Sequence, residues 1–342
     1  MMARVLLELT NRCNLSCHHC FDERHAGTGD LPLPIVKKVV QEGHQCGIDH
    51  VGFTGGEPTI HPQFPEILKL VSQAGYEFGF VSNGLNFLKI FPLLLRYREK
   101  LHGLTFSLDG ARETTHDQLR GRGSFRQVMR AASLCVMKEL PFTFNMVLTR
   151  NNREEVEAMV SLAARLGSGG VRFAHLMESR PTAENNLELS LDERREVERT
   201  IWALQKTAPL SMGMAPGYFY ETPFFPCGPL ELEEYNLDYR GNLTLCCQLS
   251  GLSGTNEGAD VMGNLHDMSL MEACTRFRQR VAVYLADKQT RVKNASLTEK
   301  EYFPCVYCVK YMGKAVSDGP VTFMPLIKPD AIDEKRSNPC SY

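Results

Sequence analysis

Cys13, Cys17 and Cys20 fall within eight positions of one another in the stretch "NRCNLSCHHCF". A closed structural metal site usually takes four protein ligands, whereas a reactive metal keeps a position open for substrate or cofactor. Three thiols therefore read as an open coordination sphere. A 4Fe-4S cluster held by three thiolates leaves one iron for a chelating small molecule. The competing reading is zinc with His18 or His19 as a fourth ligand, although both histidines lie inside the C-x-x-C step and are expected to face outward. Cys227, Cys246, Cys305 and Cys308 supply four more thiols in the last third of the chain. An iron-sulfur cluster and a structural zinc are both open for them. Cys46, Cys135 and Cys274 sit singly in helical patterns and read as small buried apolar residues.

The elements that must position these thiols alternate. "RVLLELT" (4–10) has the apolar run of a strand and leads into the first cysteine loop, and "LPIVKKVVQEGHQCG" (33–47) then shows helical spacing closed by glycine. The order repeats. "HVGFT" (50–54) enters "GGEP" and a helix over 65–75, and "EFGFVS" (77–82) enters "NG" and an apolar helix to about residue 100. "GLTFSLDG" (103–110) precedes a loop and a helix with Ser124 as its N-cap, "FTFNMVLTR" (142–150) precedes "NREEVEAMVSLAARLG", and "GGVRFAHLM" (169–177) is a sixth strand. Six strand-then-helix units predict an α/β fold, a parallel sheet, open or curled into a partial (β/α)6 barrel, with right-handed crossovers.

Ligands in such folds bind beyond the carboxyl ends of the strands. That gathers the three thiols, Gly55 to Glu57, Ser82 to Gly84 and Ser107 to Gly110 at one rim, with Arg172 and His175 at the end of strand six. A helix over 190–206 opens with a capping box from Ser190 to Glu193. Helical periodicity then stops, which divides the chain into a barrel (1–210), a small α+β unit (211–315) and a tail (316–342). "LEEYNLDYRGNLTLCC" (232–247) reads as a hairpin turning near Gly241. The aromatics Tyr218 to Tyr220, Phe224 and Phe225 are expected to pack between the two units or to line a substrate pocket.

Composition excludes other classes of partner. The chain has 342 residues, 43% of them hydrophobic, and a formal net charge of -2. It can bury a large core, and no overall basic field favours nucleic acid or an anionic membrane surface. No apolar run reaches the roughly 18 residues of a membrane span, and Glu8 and Asn11 interrupt any signal-peptide core, so a cytoplasmic protein is expected. Twelve cysteines in a reducing compartment suggest metal or redox chemistry more than disulfides.

The stretch "CNLSCHHCF" resembles the C-x-x-x-C-x-x-C motif of the radical S-adenosylmethionine (radical SAM) superfamily. The resemblance implies that the free iron of a 4Fe-4S cluster binds the amino and carboxylate groups of SAM, and that the reduced cluster cleaves the sulfonium to a 5'-deoxyadenosyl radical. "GGEP" then corresponds to the segment receiving the methionine amino group, through the backbone of Gly55 and Gly56 and through Glu57. "SLDG" places Ser107 and Asp109 near the cofactor, "HDQLRGRGSF" makes Arg120 a carboxylate partner, "SNG" brings Ser82 and Asn83, and Phe21 is the aromatic near adenine. A cofactor bearing both an ammonium and a carboxylate needs an acceptor and a donor, and the arginine fork suits the carboxylate.

The second half resembles the opening of a SPASM or twitch domain: Cys227, thirteen residues, Gly241, four residues, Cys246, then "GNLHDMSLMEACTRFRQ" (263–279). A full SPASM domain would carry cysteines at positions occupied here by Lys314 and Asp318. The departure implies the twitch arrangement, with one auxiliary 4Fe-4S cluster on Cys227, Cys246, Cys305 and Cys308, and Cys247 and Cys340 as spare thiols. The implied activity is that of a radical SAM oxidoreductase acting on a ribosomally made peptide or protein, by crosslink, thioether, epimerisation or dehydrogenation. A small molecule such as an amino sugar or cofactor precursor is the alternative substrate. A flavodoxin- or ferredoxin-type reductant is implied as well. Because strand one begins at the N-terminus, a leader-peptide-binding module is expected as a separate protein if it is used at all. A non-catalytic iron-sulfur or zinc scaffold is the reading from another class.

Overall fold

The computed structural model describes residues 3–20, 28–177, 179–215, 224, 227–252 and 258–314. Seven strands run parallel in sequence order: β1 (Ala3–Thr10), β2 (Ile48–Gly55), β3 (Glu77–Ser82), β4 (Leu101–Ser107), β5 (Phe142–Leu148), β6 (Gly170–His175) and β7 (Ser211–Met214). Their crossovers carry α1 (Leu33–Glu42), α2 (Phe64–Gln73), α3 (Phe87–Arg96), α4 (Glu113–Arg120), α5 (Ser124–Met137), α6 (Val156–Arg165), α7 (Arg180–Glu184) and α8 (Leu191–Gln205). Right-handed crossovers that always advance in one direction put every helix on the same face. The other face is left to enclose a cavity. β5 shows the consequence: Phe142, Phe144, Met146 and Leu148 are buried against the helices, while Thr143, Asn145 and Val147 line the cavity. An aromatic layer that includes Phe53, Phe64, Phe80, Phe87 and Phe106 fills the helix side, with Phe87 and Phe106 edge to face at 5.1 Å.

The C-terminal unit extends the same sheet. β8 (Glu234–Leu237) pairs in parallel with β1, and β9 (Asn242–Thr244) and β10 (Val261–Asn264) follow antiparallel. α9 (Cys247–Ser250), α10 (Leu270–Lys293) and α11 (Pro304–Tyr311) complete it. Buried Glu8 on β1 ties the halves together, accepting from Asn236 Nδ2 at 2.9 Å and from the Ser250 hydroxyl. Among the described residues no helix is long and apolar enough to cross a membrane.

The α/β class and the strand order follow the sequence reading, with corrections. There is a seventh parallel strand, β7, just past residue 210 and paired with β6. "SMGM" is four residues long at a sheet edge, too short to show a period. The loop before Ser124 contains α4, whose polar composition hid it. Ser124 is the first helical residue rather than the cap; Gly123 holds the N-cap position with φ 86°, and Asp117 accepts from the N–H groups of Gly123 (2.6 Å) and Phe125 (2.9 Å). α10 runs on to Lys293, well past the helix expected over 263–279. The Ser190 capping box is present, with Glu193 N–H donating to Ser190 Oγ at 3.3 Å and Ser190 N–H to Glu193 Oε2 at 2.8 Å. The hairpin turns at Gly241 as expected, with φ 83° there. Phe21, Tyr218 to Tyr220, Phe225, Asp318, Cys340 and the tail lie outside the described residues.

Candidate active site and auxiliary thiol cluster

The stem of the first cysteine loop is clamped by its own polar residues. Arg12 grips both oxygens of Asp30 at 2.7 and 2.8 Å, Asn11 Oδ1 accepts from Gly29 N–H at 2.8 Å, and Thr10 Oγ1 donates to Gly29 O at 3.0 Å. Burial acts to raise the Asp30 carboxyl, but the hydrogen bonds from Thr10 and Arg12 outweigh it and hold the group below its usual range. The GGEP turn then packs backbone to backbone on this stem. Gly56 N–H donates to Thr10 O at 2.7 Å and Glu57 N–H to Arg12 O at 2.9 Å. A Cβ on Gly55, whose φ is 126°, would stand 2.2 Å from Thr10 O, and one on Gly56 would stand 2.0 Å from Arg12 O. Only glycine permits that approach.

Glu57 is buried, and both of its oxygens are engaged within the protein. Oε1 accepts from Thr59 Oγ1 at 2.6 Å and Ser82 Oγ at 3.0 Å, and Oε2 accepts from Asn83 N–H at 2.8 Å. Asn83 in turn donates to Asn14 Oδ1 at 2.8 Å and lies 3.7 Å from Cys13 Sγ. Glu57, Ser82 and Asn83 thus form one chain of hydrogen bonds that ends on the thiol loop. Burial raises the Glu57 carboxyl, and the bonds from Thr59, Asn83 and Ser82 offset that in part. Glu57 thus organises three loops, and it lines the cavity as well.

A second network stands opposite. Asp109, fully buried, is ion-paired through Oδ2 with Arg120 and lies 3.3 Å from His19 Nε2, while its Oδ1 accepts from Val147 N–H at 2.8 Å. Arg120 and His19 line the cavity and Asp109 does not, so Asp109 acts through the other two. His19 therefore turns inward, contrary to the expectation from the motif, whereas His18 is exposed. Burial pushes His19 down to about 4, leaving a neutral imidazole at pH 7. Its Nδ1 is buried without a hydrogen-bond partner among the described residues. Burial likewise pushes the Cys17 thiol up to about 11, so metal loading must displace its proton.

His116 sits behind this network. Its Nδ1 accepts from Asp109 N–H at 3.1 Å, and burial together with the nearby Arg120 pushes the imidazole down to about 4. Between that value and the unfolded value near 6.5, the unfolded chain binds the proton that the folded one refuses. Stability is therefore flat above pH 6.5 and falls as pH drops from 6.5 to 4, by about 3 kcal/mol for this group. Urea unfolding across that range is expected to show the fall, and His116→Asn, which keeps an acceptor, is expected to flatten it by about one proton.

The rim opens on a cavity of about 1080 Å³. Cys13, Cys17, Cys20, Gly55, Gly56 and Ser107 line one end, and Gly52, Gly79 and Gly103 leave the wall behind them without side chains. Arg172 and His175 both line it, as do Cys247 and Gln248 of the C-terminal unit. Asn145, beside Ser107 in register, is a lining residue the sequence reading passed over. Its signal was a polar residue at the inward alternation of an apolar strand.

Cys227, Cys246, Cys305 and Cys308 come together as expected, and Cys247 belongs to the same electrostatic group. Burial pushes the Cys227 thiol up to about 12, and the neighbouring Cys308 adds to the shift. Tyr284 Oη lies 2.9 Å from Cys308 Sγ, and buried Lys288 packs 4.9 Å over the Tyr307 ring beside these thiols. Phe303, at the head of "FPCVYC", stacks on His175 at 6.1 Å and docks this cluster against the end of β6. Lys314, where a full SPASM domain would have a cysteine, is buried and donates to Leu249 O and Leu252 O at 3.0 Å each while pairing with Asp260 at 2.8 Å. Lys314→Met would leave Asp260 buried without its cation. A loss of about 3 kcal/mol in chemical unfolding is expected.

Among the described residues no three cysteine sulfurs lie within 4.8 Å of one another. The cavity-facing thiols and the orphaned His19 Nδ1 suit an iron-sulfur cluster with a polar ligand beside it.

Comparison with known proteins agrees with this geometry. The family model described as "Radical SAM superfamily" matches residues 7–163. The chain is 28% identical over 228 residues to the AdoMet-dependent heme synthase of Methanosarcina barkeri, covering 63% of this chain and 62% of that protein. It is 28% identical over 229 residues to the PqqA peptide cyclase of Gluconobacter oxydans, covering 65% of this chain and 63% of that one. The match thus spans about three fifths of these relatives' length. In fold it is similar to Streptococcus suis SuiB bound to S-adenosylmethionine, with TM-score 0.64, 15% identity, and 80% of this chain and 65% of that chain covered. SuiB bound to its precursor peptide SuiA gives TM-score 0.63 at 15% identity, covering 80% of this chain and 64% of that one.

Proposed function

We propose that this chain, which belongs to the radical SAM superfamily, is an oxidoreductase that removes hydrogen from a ribosomally made peptide or protein and leaves it modified. The observation that carries the reading is the set of three cavity-facing thiols whose neighbouring imidazole, His19, is held by Asp109 instead of being offered as a fourth ligand. A 4Fe-4S cluster on Cys13, Cys17 and Cys20, with SAM at its open iron, supplies a 5'-deoxyadenosyl radical on reduction.

The protein's own residues do the rest. Gly55 and Gly56 bring bare backbone to the rim, where a carbonyl can accept from the amino group of SAM. Arg120, fixed to Asp109 through Nε, turns its remaining N–H groups toward the SAM carboxylate. His19 Nδ1 and Ser107 offer further polar contacts, and Glu57, Ser82 and Asn83 hold the loops in place. Cys227, Cys246, Cys305 and Cys308 would hold one auxiliary 4Fe-4S cluster, which would supply an acceptor for the electron left on the substrate. A flavodoxin- or ferredoxin-type protein supplies the reducing electron, and a separate leader-peptide-binding protein belongs with the peptide reading.

Two observations favour a peptide. The cavity of about 1080 Å³ is at the upper end for a small-molecule site, and relatives similar in sequence or fold act on or bind peptides by name. Similarity to a heme synthase supports a small-molecule substrate as the second reading. The test is anaerobic reconstitution followed by a dithionite and SAM assay. About eight irons per chain and released 5'-deoxyadenosine are expected. Bound zinc with no nucleoside would overturn the proposal, and deuterium transfer from a labelled precursor peptide into 5'-deoxyadenosine separates the two substrate classes.

A further inference from the structure

The N-terminal edge of the sheet carries a constellation that the proposed reaction does not use. Parallel register sets His50 of β2 directly beside Glu77 of β3, and the irregular start of the β3 and β4 pairing brings His102 against the same carboxylate. His50 Nε2 lies 2.7 Å from Glu77 Oε2, His102 Nδ1 lies 3.3 Å from that oxygen, and the two ring nitrogens are 3.3 Å apart. The rings stand at 88° to one another, so both nitrogens reach a common point without a ring clash.

The other nitrogen of His50 has its own partner, since Nδ1 lies 3.1 Å from Asp49 Oδ1. A carboxylate behind a histidine is the outer partner that fixes the ring orientation of a metal-binding imidazole. Nε2 is thereby set beside Glu77 Oε2 and His102 Nδ1, and the three ligand atoms all lie within 4.8 Å of one another.

We propose that His50, Glu77 and His102 bind a divalent first-row metal ion of the zinc type, with Asp49 as the outer partner of His50. Metal–ligand bonds of 2.0–2.1 Å in a tetrahedron place ligands about 3.3 Å apart. Two of the three separations already have that length. The third widens by a turn of the half-exposed Glu77 side chain. Three protein ligands leave the fourth position to water. His50 and His102 line the same cavity as the thiols but at its opposite end, about 17 Å along β2 from Gly55. The site is therefore separate from the cysteine clusters.

The test is calorimetric titration of the anaerobically reconstituted protein with zinc chloride, in parallel with a His50→Ala/His102→Ala variant matched for iron content and circular dichroism. The unsubstituted protein is expected to bind one zinc that the double variant binds at least about 100-fold more weakly, and Asp49→Asn is expected to weaken it about 10-fold. Equal binding by the unsubstituted protein and the double variant, or no binding tighter than millimolar by either, would overturn the assignment. So would an Asp49→Asn variant with unchanged affinity, as regards the outer partner.

Discussion

Cys17→Ala is expected to abolish the release of 5'-deoxyadenosine from SAM and dithionite, whereas Cys305→Ala is expected to leave that release in place and uncouple it from modified product. The contrast follows from where the two thiols sit. Cys17 lies with Cys13 and Cys20 at one end of the cavity, and the loop that carries it is pinned on both sides, by Arg12 on Asp30 and by His18 N–H donating to Leu119 O at 2.9 Å. Neither neighbouring imidazole is offered in its place: His18 is exposed, and Asp109 holds His19. Cys305 lies in the second group, across the β6 end, where Cys247 is a further thiol within electrostatic reach. Iron counts before and after each substitution, with nucleoside and peptide product followed in the same samples, separate the roles. Loss of nucleoside in the Cys305 variant would make the C-terminal thiols part of SAM cleavage itself. Cys135→Ala is the control: that thiol is buried in the helix layer, and its removal is expected to lower stability by about 1 kcal/mol and leave iron content unchanged.

The barrel and the thiol sets were legible because period and spacing are local. Strands such as "EFGFVS" fall where their alternation puts them, and β3 spans those same residues. What escaped depends on contacts remote in sequence. His19 was expected to face outward because nothing in "CHHC" announces Asp109, ninety residues on, whose buried carboxylate turns the ring inward. The sequence likewise shows the carboxylate of Glu57 but not the hydroxyls of Thr59 and Ser82 that bond to it. β7 and α4 were missed for the opposite reason, since a four-residue edge strand and a polar helix owe their form to neighbours more than to their own composition. Lys314 shows the useful side of a departure from a family pattern. Where a cysteine would ligate metal, a buried ion pair with Asp260 now closes the unit.

Asp109→Ala is the substitution with the largest expected effect on the fold around the site. The carboxylate ends β4 and joins Arg120 of α4, His19 of the thiol loop and the Val147 N–H of β5. Burial would raise its carboxyl, but Arg120 and then His19 overcome that and hold it below the usual carboxylate range. Removing it leaves the Arg120 guanidinium buried without its counter-ion, and a loss of about 3–5 kcal/mol in urea unfolding is expected. Asp109→Asn is not expected to rescue the pair, because the neutral amide supplies no counter-charge to Arg120 and its nitrogen meets a donor in either orientation, Arg120 and His19 in one and the Val147 N–H in the other. As Arg120 leaves its position, SAM affinity in the reconstituted protein is expected to fall on the order of 10-fold, through a residue that does not line the cavity. Stability and affinity falling together mark Asp109 as the positioning residue for Arg120. A variant that unfolds more easily but binds SAM as tightly as before would show that Arg120 keeps its place without the carboxylate, and would remove Arg120's dependence on Asp109 from the account of the site.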